Sequence, residues 1–288
     1  PASPAQPPFL ELLDADPQIG LALIRTLVAA AVDGHADGKA TETNGFTIVV
    51  DGTPRFFPWV QTYFWSRQFQ APESSVGSAL KALEAWSHER IERGEDVATV
   101  LQDILGPEGS CAAYLVVAID VLMSHWPATR DALVPFVVNP HILASDRDRA
   151  SIEMFGVMMA GEKEPSGRVR LADLAKRGSR SFTLEQLMSS YSGNDDASSA
   201  VRRLLAQAVD ALGPYDENDT FRDPAFMGAH ALNLVDRANW VEVDGQFRFV
   251  PPPAEAEHLA RLETASRALA LSSDIEAKIQ LAANDPAR

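Results

Sequence analysis

Cys111 is the only thiol in the chain. It follows Gly109-Ser110 at the start of a helical pattern, where the positive end of a helix favours a thiolate. A cysteine nucleophile also needs a base within hydrogen-bond reach. The next histidine on that helix is His125, 14 residues on, which is roughly 21 Å at the rise of an α-helix. A dyad would therefore need His88 or His141 brought in by folding. The plainer reading is a core residue, because free cysteine is among the most buried side chains.

The six histidines are His35, His88, His125, His141, His230 and His258. None sits in HExxH or another compact ligand pair. Glu84 and His88 share a helix face, but two residues do not complete a metal site. The text closest to a phosphate loop is Gly34-His-Ala-Asp-Gly38-Lys39-Ala40. It has one residue too few between its glycines, and Ala stands where a Mg²⁺-binding hydroxyl belongs. Neither GxGxxG nor GxSxG occurs. No metal and no cofactor is expected.

Two stretches could bind rather than react. Pro58 to Phe69 is aromatic-rich, with Trp59, Tyr63 and Trp65. It reads as a plug for one edge of the core or as an exposed anchor, since buried Trp and Tyr dominate interface hot spots. Gly161 to Ser181 carries six basic residues against three acidic ones. Its Arg168, Arg170, Arg177 and Arg180 are the second binding candidates, able to meet a phosphate backbone. Without interleaved aromatics, a solvated loop is the simpler reading. Asp146-Arg-Asp-Arg149 reads as a solvated, self-paired face.

Helices must position these groups. Phe9 to Leu13 opens a short one. Asp16-Pro17 caps and starts a second, with Ile19, Leu23 and Leu27 at helical spacing. After a polar loop, Phe46 to Val50, Asp51-Gly52 and Arg55 to Phe57 read as a hairpin. Ser74-Ser75 caps a helix striped by Val76, Leu80, Leu83 and Trp86, with Glu84, Glu89, Arg90 and Glu92 outside the stripe. A short helix spans Asp96 to Leu105. Ser110 to Trp126 is apolar nearly all round, which marks the most buried helix. Pro127 and Asn139-Pro140 start further helices. Thr183 caps one over Phe182 to Tyr191, Asp195 to Leu212 is amphipathic, and Pro224 opens another to Val235. Asn239 to Val243, Asp244-Gly245 and Gln246 to Val250 are the clearest hairpin. Helices over Glu255 to Leu271 and Asp274 to Ala283 close the chain.

The whole reads as mainly α: an α-solenoid or HEAT-like helical repeat array with two small β-hairpins. Four parts are expected. They are a disordered linker over 1–8 (PASPAQPP), a helical array over 9–160, a basic loop over 161–181 and a helical part over 182–288. A chain of 288 residues with 46% hydrophobic content can bury a sizeable core. A net charge of −15 excludes a uniformly basic nucleic-acid footprint. No apolar run reaches the ~20 residues of a membrane span. A single cysteine fits a reducing, cytoplasmic setting.

Several phrases together resemble a known group. They are Phe9-Leu-Glu-Leu-Leu13 with Gly20-Leu-Ala-Leu-Ile24, and Ser78-Ala-Leu-Lys-Ala-Leu-Glu-Ala-Trp86. Asp223-Pro-Ala-Phe226, His230-Ala-Leu-Asn233, Asn239-Trp-Val-Glu-Val243, Pro252 to Leu259 and Asp274-Ile to Pro286 continue the likeness. The chain resembles the internal helical region of large bacterial STAND or AAA-like ATP-binding proteins, many of them suspected in anti-phage defence. The resemblance implies a piece of a longer polypeptide whose NTPase core lies elsewhere. It implies a non-catalytic sensor or scaffold that meets a protein partner or neighbouring domains. No catalytic residue transfers with it, because none of the phrases is a Walker or nuclease motif. Two rivals stand beside it. One is a cryptic hydrolase or transferase using Cys111 or an Asp/His cluster built in space. The other is a helical nucleic-acid-binding domain using 163–180.

Overall fold

The structure, a computed structural model, describes residues 2–35, 44–67, 74–159 and 164–267. Residues 36–43 of the polar loop read over 34–45, Lys163 of the basic stretch, the end of the helix read over 255–271 and the helix read over 274–283 lie outside the described residues.

Helices α1 (Phe9–Ala15) and α2 (Pro17–His35) meet at Asp16. The Asp16 carboxylate accepts from the Gln18 and Ile19 amides at 3.1 Å, as a cap should. Gly20 closes the elbow: a Cβ there would stand 2.8 Å from the Leu13 backbone. Strands β1 (Gly45–Val50) and β2 (Thr53–Pro58) pair antiparallel. Asp51 and Gly52 both take positive φ, 51° and 78°, which a type I′ turn requires.

Next come α3 (Ser74–Glu92), α4 (Val97–Leu105) and α5 (Ala113–Ser124). Asp96 caps α4 by accepting from the Thr99 amide at 3.0 Å. Every residue of α5 from Ala113 to Met123 is buried. Helix α3 packs against α1, α2, α4 and α5 and so is enclosed on most sides. Glu84 was expected outside its apolar stripe and is 0% exposed; Arg90 is also buried. A helix stripe describes one face, and α3 has more than one covered.

Helices α6 (Val134–Val137), α7 (Pro140–Met159), α8 (Leu171–Leu174) and α9 (Leu184–Leu187) follow, then α10 (Asp196–Leu212) and α11 (Pro224–Val235). Asp195 caps α10, whose Val201 and Leu205 are buried. Strands β3 (Trp240–Val243) and β4 (Gln246–Phe249) form the second hairpin, turned by Asp244 and Gly245 at positive φ. A helix over 253–267, here α12, is the last described element.

The chain is thus mainly helical, with two small antiparallel hairpins. Several successive helices pack as neighbours: α1 to α5 in order, α6 with α7, and α10 with α11. Distant elements also meet: α7 with α11, α6 with α10, α5 with residues 178–180. Among the described residues no helix is long and apolar enough to cross a membrane.

Two sequence expectations need correction here. Residues 2–5 do not behave as a linker but are buried. The Ser3 amide donates to the Ser78 hydroxyl at 3.0 Å, and the Ser3 hydroxyl to Glu164. Proline forbids regular structure there, not burial. The face at 146–149 is solvated only in part: Arg147 and Asp148 are partly exposed. Asp146 and Arg149 are both 0% exposed. Arg149 pairs with Asp146 and donates to the carbonyls of Ser179 and Phe182.

Candidate functional site

Asp120 is the one formally charged residue in the apolar run from Ser110 to Trp126. A buried carboxylate must find partners, and the fold brings three other segments to it. Helix α3 supplies Glu84 and His88, and the turn after β2 supplies Arg67. The short 3-10 turn Gly178–Arg180 supplies Arg180. Arg67 reaches Glu84 at 2.8 Å and Asp120 at 3.0 Å. Arg180 reaches Glu84 at 2.6 Å and Asp120 at 3.5 Å. His88 Nε2 lies 3.6 Å from Asp120 and 3.9 Å from Glu84. Its Nδ1 is 3.1 Å from His125 Nε2, so one imidazole donates to the other.

Burial pushes the Asp120 carboxyl up, but Arg180 and Arg67 outweigh it and hold the group well below the usual range. Burial pushes Glu84 up against the pull of Arg67. His125 is lowered by burial and then by His88 beside it.

Glu84, His88 and Asp120 each offer a ligand atom, all within 4.8 Å of one another. That is a metal-like triplet by distance. It does not fit a cation, because two guanidinium groups already contact the same two carboxylates. A metal would replace neither charge nor geometry to advantage. The arrangement is an internal ion-pair core joining four segments. It is also the Asp/His cluster in space that the enzyme reading asked for, and it is closed to solvent.

A second polar cluster fastens the C-terminal part. His230 Nδ1 lies 2.5 Å from Glu255 and its Nε2 lies 3.1 Å from Glu185. Asn233 donates to Glu255 at 2.5 Å, and Arg147 pairs with Glu185 while covering the Phe221 ring. Burial pushes His230 down, but Glu185 and Glu255 outweigh it and raise the group to about 9. At neutral pH it is an imidazolium donating from both nitrogens.

The sequence-derived binding candidates divide. Tyr63 and Trp65 are core residues, 0% and 2% exposed, so the plug reading describes them and neither offers an anchor. Trp59 is half-buried and lines an open groove. Its φ of 64° and ψ of 62° are left-handed, a conformation that costs a bulky residue roughly 1–3 kcal/mol. The basic stretch is solvated over much of its length, with Arg168 and Arg170 exposed, but its arginines are ion-paired. Arg168 pairs with Asp14 and Glu89, Arg170 with Glu164, Arg177 with Glu92, and Arg180 with the ion-pair core. Arg168, Arg177 and Arg180 tie the stretch onto α3, and Arg168 also onto α1.

Cys111 is 5% exposed. Burial pushes that thiol up, away from a thiolate. His88 pairs with His125 instead. Arg67 and Asp120 were missed by sequence reasoning. The available signal was Asp120 itself, a lone charge in an otherwise apolar helix.

No family model, curated protein or solved structure matches the chain.

Proposed function

We propose that this chain is a non-catalytic protein-interaction, sensor or scaffold region of a larger bacterial STAND-like ATP-binding protein, serving in the cytoplasm and in anti-phage defence. The helices form a HEAT-like array in this reading. Neighbour packing of α1 with α2, α3 with α4, α6 with α7, and α10 with α11 supports that part. The partner is another protein or a neighbouring domain of the same polypeptide.

One observation carries the interaction part. The β3–β4 hairpin exposes Val241, Val243, Phe247 and Val250, between 40% and 52% each. Exposed apolar side chains grouped on one small element mark a contact surface more than scattered ones do. The polar clusters, by contrast, face inward and are spent on holding segments together.

Two experiments test the reading. A photo-crosslinking residue at Phe247, in the full-length protein in its host, is expected to give discrete protein adducts. The same residue at Glu217, in the acidic loop, is expected to give none. Equal patterns at both positions overturn the interaction surface. The coding sequence on either side tests the larger assignment: a Walker A motif in the same frame supports it, and none removes it.

The enzyme reading has one observation in its favour, the Glu84–His88–Asp120 grouping. It would need Arg67 and Arg180 to leave those carboxylates. The nucleic-acid reading would need the arginines of 168–180 to leave theirs.

A further inference from the structure

The groove beside Trp59 lies between α2, the end of β2 and the turn Gly106 to Gly109. Its volume is about 460 Å³, within the usual size range for small-molecule sites. Aromatic and aliphatic side chains make its walls, chiefly Trp59, Phe56 and Val28. Phe56 is 40% exposed at the surface. Trp59 sits in a left-handed backbone conformation that a glycine would adopt freely. The indole packs partly on the core and partly lines the groove.

Arg25 gives the groove its polarity. Its guanidinium donates to the Asp103 carbonyl at 3.0 Å. Gly106 leaves room for it: a Cβ there would stand 3.2 Å from Arg25 Nε. No carboxylate among the described residues forms an ion pair with Arg25, although most other buried or half-buried arginines here have one. Tyr114 and Ser110 add hydroxyls, and burial keeps the Tyr114 hydroxyl protonated. Asp33 and Glu108 also line the groove, but both are exposed, where water and salt screen them. A positioned, half-buried guanidinium without a carboxylate, beside aromatic walls, complements a planar anion.

We propose that this groove binds a small aromatic carboxylate, with the carboxylate on Arg25 and the ring between Trp59 and Phe56. The site goes beyond the reading above and stands without it.

Indole-3-acetate is the probe, with indole and tryptamine as its neutral and cationic counterparts, titrated against the intact chain by calorimetry. Indole-3-acetate is expected to saturate at millimolar concentration or below, and at least tenfold tighter than either counterpart. Arg25→Gln is expected to abolish that preference. Trp59→Gly is expected to weaken binding at least tenfold in a chain whose circular dichroism shows it folded. If Arg25→Gln does not fold by circular dichroism, Phe56→Ser at the exposed lip replaces it, with indole-3-acetate expected to bind at least tenfold more weakly. Three results overturn the proposal: no saturation by indole-3-acetate up to about 10 mM, equal or tighter binding of tryptamine, or affinity unchanged in Trp59→Gly.

Discussion

Single side chains carry unequal weight, and burial decides which matter. Asp120 and Arg168 are both ion-paired, yet Asp120 is 0% exposed and the Arg168 side chain is 46% exposed. Removing one partner of a buried pair leaves charges uncompensated. Asp120→Ala leaves Arg67 and Arg180 to share the single carboxylate of Glu84 and is expected to cost about 3–5 kcal/mol in urea unfolding. Arg168→Ala is expected to cost less than ~1 kcal/mol, the usual worth of an exposed pair. Equal losses would mean that the internal core is open to water. Cys111 is the opposite case, a reactive group made inert. At pH 8 a thiol reagent is expected to modify it far more slowly in the folded chain than in denaturant. Fast native labelling would place a thiolate at the groove and revive Cys111 as a nucleophile.

At the scale of elements, joints are set by close approach. The α1–α2 elbow depends on Gly20, where a Cβ would stand 2.8 Å from the Leu13 backbone. Backbone cannot yield as a flexible side chain can. Gly20→Ala is therefore expected to destabilise the chain by roughly 1–3 kcal/mol, as overpacking does, despite alanine's better helix propensity. A rise in melting temperature would show that the elbow opens freely. Residues 168–180 form a second kind of joint. Arginines spaced along that segment meet carboxylates on α1 and α3, so its basic character serves attachment within the molecule. The hairpins differ again. Each is made by a two-residue turn with positive φ, but β1–β2 buries Phe46, Ile48 and Phe57 while β3–β4 leaves most of its residues exposed.

For the molecule as a whole, stability should peak near neutral pH, because two histidines limit it from opposite sides. His230 is raised from 6.5 to about 9 in the folded chain. Its contribution is full below pH 6.5, declines as pH rises, and is gone above about 9. That shift corresponds to a contribution on the order of 3 kcal/mol. His125 is shifted down. Its contribution is present above pH 6.5 and is lost as pH falls below that value. Melting temperatures from pH 5 to 10 are expected to decline on both sides. His230→Gln is expected to flatten the alkaline limb alone. An unchanged alkaline limb in that variant would mean that the Glu185–His230–Glu255 bridge does not fasten α12.

The amino-acid order by itself determined the elements. Capping by Asp16, Asp96 and Asp195, the Asp-Gly turns of both hairpins and the apolar run through α5 are local signals. Local backbone preferences and side-chain periodicity act over a few residues, so they survive in a linear reading. Tertiary structure alone decided which faces are enclosed and which charges meet. Glu84, Arg149 and residues 2–5 read as solvent-facing or mobile and are buried. The basic stretch read as a loop and is an ion-paired strap. Asp120 announced a buried charge without naming Arg67 or Arg180 as its partners. A charge's partner, unlike a cap or a turn, is chosen by chain segments distant in sequence, and only their packing brings the two together.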